Sequence, residues 1–196
     1  MLVAIKKYSP ELLDSTVSVL ADAFVTNPLH ISAFGPERMD QNRLFFRIGL
    51  QQMFTGHAFV ALVHGEVRGY MHFAASPTCL PPPEEIPAAT TTLFKPLGEA
   101  VPRVVVWFAR WCRLDPEAPH AHLGPIGISP IVQGQGVGTA LMKRYIDYLK
   151  LERMAGYLET DRLENVQFYK KFGFTVQREE QLIGTPTWYM WRPLEE

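Results

Sequence analysis

His122–Leu141 reads HLGPIGISPIVQGQGVGTAL, and its reading decides the fold. An apolar run ends at Ser129-Pro130, and Gln133-Gly134-Gln135-Gly136-Val137-Gly138 then leads straight into an amphipathic stretch. A strand, a tight glycine loop and a helix N-terminus in that order make an anion site. Glycines let backbone N–H groups converge and approach a ligand closely, and the helix dipole favours a phosphate at the same spot. The first expectation is a ligand held by its phosphate or pyrophosphate.

Three loop types fit that description. A P-loop needs a Gly-Lys pair, which the chain lacks. The dinucleotide fingerprint G-x-G-x-x-G matches at Gly134 and Gly136 but meets Thr139 at its third glycine. Glu159 stands where its acidic residue belongs, yet too little chain follows for further βα units. The third pattern, Q-x-x-G-x-G, is met by Gln133, Gly136 and Gly138. A second segment accompanies it: Tyr157-Leu158-Glu159-Thr160 reads as a strand, followed by N-x-x-F-Y-x-K-x-G-F over Asn165 to Phe174. With both motifs in this order and one helix between them, the chain resembles the GNAT superfamily of acetyl-CoA-dependent N-acyltransferases. The matched motifs cover about His122 to Phe174.

Composition agrees with an enzyme of that kind. The chain has 196 residues, is 47% hydrophobic and carries a net charge of −1. It is long enough for a real core in one domain. Its charge attracts neither nucleic acid nor an anionic membrane, so none is expected as a partner. Cys79 and Cys112 give no disulfide framework and read as small buried hydrophobes. No His/Cys cluster has metal-ligand spacing along the chain, so no metal is expected. The opening MLVAIKKYSPELL lacks the order of a signal peptide and no apolar run approaches a membrane span; the expected location is the cytoplasm.

Outward from the loop, the elements read as follows. Leu2–Lys6 is a first strand. Ser9-Pro10-Glu11 starts a helix that Asn27-Pro28 stops, and a second helix runs from Pro36-Glu37 to Gly56. Phe59–Val63 and Val67–Ala74 form a hairpin about His64-Gly65-Glu66. Ser76–Pro102, with Pro81-Pro82-Pro83, reads as a long surface connection. Val104–Leu114 is a helix with one buried face, suited to wall a pocket. Ala121–Ile128 is the central strand, Val137–Arg153 a helix, Glu164–Phe172 another capped by Gly173, and Phe174–Gln181 and Thr187–Arg192 closing antiparallel strands. The class is α/β with mixed pairing. The resemblance implies a largely antiparallel sheet with a splayed central parallel pair, flanked by helices.

The resemblance also implies the chemistry. Backbone N–H groups of Gln133, Gly134, Gln135, Gly136, Val137, Gly138 and Thr139 would cradle the pyrophosphate of acetyl-CoA, the acyl donor. Ile126, Gly127 and Ile128 would pair with the pantetheine arm as if it were another strand. Pro125 and Gly127 suit a bulge there, although Gly127 equally suits mere crowding. Asn165 would bond the cofactor arm, and Phe168 would pack against cofactor or core. Lys143, Arg144, Lys170 and Lys171 would neutralise phosphates or simply face solvent. Tyr169 would protonate the departing sulfur, since a phenol stays protonated at neutral pH. The base is open between His122 as a neutral imidazole, Glu159 at the end of the next strand, and water; His120 shares a face with His122. The acceptor is an unidentified small-molecule or peptide amine, attacked directly in a ternary complex, its site lined by the first two helices and the Ser76–Pro102 stretch. A homodimer through Trp188, Tyr189 and Trp191 is one assembly such domains adopt. The rivals are a non-catalytic acyl-CoA-binding module and a nicotinamide-dependent enzyme.

Overall fold

The structure, a computed structural model, describes residues 2–79 and 84–194. Seven strands form one sheet: β1 (Val3–Lys7), β2 (His57–Val63), β3 (Glu66–Ala75), β4 (His120–Ile128), β5 (Ala155–Thr160), β6 (Thr175–Leu182) and β7 (Thr185–Arg192), in the order β1-β2-β3-β4-β5-β7-β6. Every neighbouring pair is antiparallel except β4–β5. Helices α1 (Leu13–Phe24), α2 (Pro28–Phe34), α3 (Met39–Ile48), α4 (Ile86–Leu93) and α5 (Val101–Leu114) cover one face, and α6 (Val137–Glu152) and α7 (Leu163–Lys170) the other. Both faces are therefore buried. That is why β2 reads as a nearly continuous apolar run, its residues sorted alternately into the two cores: Val60 on the α1 side, Phe59 and Ala61 on the α6 side.

The elements around the glycine loop lie where the sequence places them. In α6, Leu141, Tyr145 and Leu149 are fully buried. The hairpin turn His64-Gly65 has two positive φ angles, 51° and 83°, the geometry that suits the strand twist. Three readings need correction. Asn27-Pro28 ends α1 but also opens α2: the Asn27 side chain accepts from His30 N–H at 3.0 Å, and Pro28 takes the first helical position. The second long helix begins only at Met39 and passes at Ile48 into a wider π-type turn, Gly49–Met53. Ser76–Pro102 is not simply a surface connection. It contains α4 and a 3-10 segment, Lys95–Ala100, and buries Ile86, Phe94 and Leu97 against α5; Pro81-Pro82-Pro83 lie outside the described residues. No single helix among the described residues is long and apolar enough to cross a membrane.

β4 and β5 pair at three positions only, His120–Ala155, Ala121–Gly156 and His122–Tyr157, and then diverge. The other side of β4 stays paired with β3 as far as Ile128, with a register shift opposite Leu123 and Ile126. The bulge thus sits beside Pro125. Gly127 has a different reason: a Cβ there would lie 2.8 Å from Leu20 Cδ2 and 3.1 Å from Phe24 Cε2, so its small size admits the close approach of α1.

Candidate active site

The splay of β4 from β5 opens a cavity of about 610 Å³. Along β4, Ala121 and Leu123 point into the α6 core, so His122 points to the α5 side and into this space. Glu159 and Asp161 reach it from the end of β5, and Asn165 and Tyr169 from α7. Gly124, Pro125 and Ile126 supply the β4 edge. Opposite them the wall is aromatic: Phe45 and Phe46 from α3, Phe94, and Trp107, Phe108 and Trp111 from α5.

The polar centre is a chain of side chains. His122 Nε2 donates to Glu159 Oε2 at 2.7 Å, and His122 Nδ1 faces Asp115 Oδ1 at 3.1 Å. Asp115 also faces His120 Nε2 at 3.3 Å and Cys79 Sγ at 3.5 Å. Burial alone would lower both imidazole pKa values, but the carboxylates outweigh it. Asp115 lifts His120 to about 9, while Glu159 and Asp115 hold His122 well above its ordinary value. Asp115 is held well below the carboxylate range by the two rings, against the opposing pull of burial. His122 thus has a carboxylate on each ring nitrogen. The expected neutral imidazole with a free lone pair is not what this geometry offers. The other oxygen of that pair differs: Glu159 Oε1 is buried with no hydrogen-bond partner, on a side chain only 2% exposed.

Tyr169 is buried at the same cavity, its ring packed edge-on to Phe168 and Phe174. Burial pushes its phenol above the ordinary value, so it carries its proton at any physiological pH. Asn165 donates from Nδ2 to Thr160 Oγ1 at 3.2 Å, tying α7 to the end of β5.

The glycine loop lies beyond the lining of this cavity. Gln133 Nε2 donates to Ile128 O at 3.0 Å, fastening the loop to β4. Gly134 and Gly136 have φ of 75° and 87°, and a Cβ on either would meet only open space. The N–H groups of Gln133 and Gln135 turn inward to Pro130 O and Val132 O, at 3.4 and 3.3 Å. The amides left for a ligand are thereby fewer than the seven expected: Gly134, Gly136 and the first turn of α6, where Val137, Gly138 and Thr139 lack intrahelical acceptors. Phe168 lies under that turn, 3.4 Å from where a Gly138 Cβ would stand. Arg144, one of the expected phosphate partners, sits over the Phe59 ring at 5.0 Å.

Sequence reasoning missed Asp115 and Asp161. Asp161 accepts from Asn27 Nδ2 and Leu29 N–H, both at 2.8 Å, and so holds the start of α2 at the rim of the cavity. Cys112 is buried as expected, its thiol pushed up to about 12. Cys79 is not a simple buried hydrophobe: it is half-buried and its sulfur faces Asp115 and His120. Its place in the sequence gave no signal, because its neighbours Asp115 and His120 come from other segments of the chain.

A mixed sheet splayed at its parallel pair, a glycine loop at a helix start, and a phenol and a carboxylate on one cavity define an acyl-CoA-dependent acyltransferase. The Acetyltransferase (GNAT) family model matches residues 25–174, and the chain belongs to that family. It is an acyl-CoA-dependent N-acetyltransferase of a family whose members use acetyl-CoA and acetylate amines. Solved structures share the fold. A Corynebacterium glutamicum protein described as histone acetyltransferase HPA2 and related acetyltransferase superposes with a TM-score of 0.75 at 22% identity, over 100% of this chain and 98% of that one. The polyamine N-acetyltransferase of Drosophila melanogaster, which forms N-acetylagmatine, gives 0.71 at 13% identity, over 97% and 98%. A GNAT acetyltransferase of Brucella melitensis, solved with acetyl-CoA, gives 0.55 at 16% identity, over 100% and 90%.

Proposed function

We propose that this protein transfers the acetyl group of acetyl-CoA to a primary amine with an apolar body, by direct attack. One observation carries the reading: Glu159, whose Oε1 makes no hydrogen bond among the described residues, Tyr169 and the edge of β4 that β5 leaves line a single cavity whose far wall is aromatic. Such a wall accepts an apolar body, and a lone carboxylate oxygen accepts an ammonium.

The residues divide the work as follows. The glycine loop and the first turn of α6 hold the pyrophosphate, and the edge of β4 that β5 leaves, around Ile126 and Gly127, holds the pantetheine amides. Glu159 binds the ammonium through Oε1 and takes its proton, directly or through a water, freeing the nitrogen lone pair. His122 leaves the role of base and becomes a positioning residue: its Nε2–H fixes Oε2, so Oε1 faces the amine. The nitrogen bonds to the acetyl carbonyl carbon, and the carbon–sulfur bond breaks as Tyr169 gives its proton to the departing thiolate. The second proton that the nitrogen sheds on becoming an amide returns through solvent to the tyrosinate, and Glu159 releases its proton to solvent.

The test begins with calorimetric titration of the purified protein with acetyl-CoA, with NADH and ATP as controls, followed by a screen of arylalkyl, alkyl and polycationic amines. Binding of acetyl-CoA alone and turnover of apolar amines are expected, with initial-velocity lines that intersect. Preference for NADH would overturn the loop assignment. Turnover confined to polycations would overturn the acceptor class, and parallel lines would overturn direct attack.

A further inference from the structure

Beside the proposed transfer site lies a second constellation with its own logic. The ligating atoms of Cys79, Asp115, His120 and His122 all lie within 4.8 Å of one another. They come from three segments: the stretch after β3, the end of α5 and the start of β4. We propose that these four side chains form a structural zinc site.

The distances are the first argument. Ligands about 2.0–2.3 Å from a tetrahedral ion stand about 3.3–3.8 Å from each other. With one ligand atom from each residue, all four lie within 4.8 Å of one another. The pairs on Asp115 Oδ1 measure 3.1 Å to His122 Nδ1 and 3.3 Å to His120 Nε2, and Cys79 Sγ stands 3.8 Å from His120 Nε2 and 3.5 Å from the other oxygen, Oδ2. Groups bonded only to one another would close further, as the outward contacts of the same two rings do at 2.7 and 2.8 Å.

Those outward contacts are the second argument. A histidine that ligates through one nitrogen donates from the other to a carboxylate or a backbone carbonyl. Each ring does so here. His122 offers Nδ1 to the cluster and donates from Nε2 to Glu159 Oε2; His120 offers Nε2 and donates from Nδ1 to Ala118 O. Ring orientation, and the nitrogen that keeps its proton once the other ligates, are set before any ion arrives.

Charge is the third. A thiolate and a carboxylate balance a divalent cation, and the mixed sulfur, nitrogen and oxygen set suits zinc. As it binds, the protons held on the thiol and on the inward ring nitrogens leave to solvent. Four protein ligands close the coordination sphere, so the site pins the Cys79 stretch and the end of α5 to β4 rather than activating a water. It also keeps His122 Nε2–H directed at Glu159. The proposal does not depend on the acceptor or on turnover.

Metal content of the full chain, purified from zinc-supplemented cells without chelator, gives the first readout. Cobalt titration of the demetallated full chain gives the second. We expect about one zinc per chain, tetrahedral visible bands with cobalt, and a thiolate-to-cobalt charge-transfer band that Cys79→Ser abolishes. His120→Asn should remove most bound zinc, with folding of both variants checked by circular dichroism. Zinc should also raise the melting temperature of the wild type by mass action. Wild type that purifies without zinc and gives no tetrahedral cobalt spectrum would overturn the proposal. So would zinc content and a charge-transfer band that survive in both variants. Failed amine turnover with zinc bound would count against the proposed function alone.

Discussion

In the proposed mechanism Tyr169 and Glu159 stand at opposite ends of the proton path, and each has a substitution that separates chemistry from packing. Tyr169→Phe keeps the ring that meets Phe168 and Phe174, with centroids at 5.4 and 6.2 Å, and removes only the hydroxyl. Loss of a general acid costs about 10²–10⁴-fold. We therefore expect kcat to fall by about 10²-fold or more while the acetyl-CoA dissociation constant stays within about twofold. Matching losses in both would sink the acid role. Glu159→Gln preserves shape and the contact with His122 but removes the charge facing the amine. Because an ammonium has a pKa near ~10, the variant must wait for amine already deprotonated in solution. We expect kcat/KM for the amine to fall by about 10²-fold at pH 7 and to climb steadily toward alkaline pH. A profile parallel to wild type would show that Glu159 takes no proton. That both residues line one cavity was readable, by motif for Tyr169 and by its place at a strand end for Glu159, which the sequence offered as a candidate base beside His122. What His122 does was not: its two carboxylate neighbours, Asp115 seven residues away and Glu159 thirty-seven away, meet only when α5 and β5 are in place.

At the scale of elements, the turn from β4 into α6 was the most legible part, because its backbone requirement is written in residue type. Gly136 has φ 87° and ψ 0° as the residue before the first turn of α6, a conformation that other residues adopt only with strain. Gly136→Asp adds that strain and a negative charge where a pyrophosphate would rest, in space otherwise open, so the fold should tolerate it. Acetyl-CoA affinity should fall by about 10²-fold or more, from like-charge repulsion at short range, with far-ultraviolet circular dichroism unchanged. Unaltered affinity in calorimetry would exclude this loop from the site. The illegible elements share a cause. Asn27-Pro28 reads as a stop, because nothing local reveals that Asp161, 134 residues further on, completes the start of α2. α4 and the 3-10 segment after it read as part of a loop, because the burial of Ile86, Phe94 and Leu97 against α5 is a tertiary fact. Helices of seven and eight residues depend on such partners more than on intrinsic propensity.

For the whole molecule, the aromatic cavity sets the response to acid. His30 sits at its base, fully buried among rings: stacked on Phe46 at 5.4 Å and edge-on to Trp107 at 5.1 Å, with Nδ1–H donating to Asn42 Oδ1 at 2.7 Å. Burial pushes its pKa down from 6.5 to about 3, the Asn42 contact opposing only in part, and no charged side chain among the described residues shifts it. Above pH 6.5 His30 is neutral folded or unfolded and contributes no pH dependence. Between 6.5 and about 3 the unfolded chain binds a proton that the native state refuses, so stability declines by about 1.4 kcal/mol per pH unit for this one group. Glu180 works in the same direction lower down. Hydrogen bonding to Arg110 holds its carboxyl at about 2, so its contribution is lost as pH falls from about 4.5 toward that value. The two groups can be separated. His30→Gln retains a donor for Asn42 and carries no titrating group, so it should lower stability at pH 7 through poorer packing yet reduce the slope of the urea-unfolding free energy between pH 6 and 5, where Glu180 is silent and only the contributions of His72 and His57, both lowered by burial, remain. A slope in that window as steep as the wild type's would mean that His30 is charged in the native cavity, and a cavity that tolerates an imidazolium at its base would not be the apolar pocket from which the acceptor class is inferred.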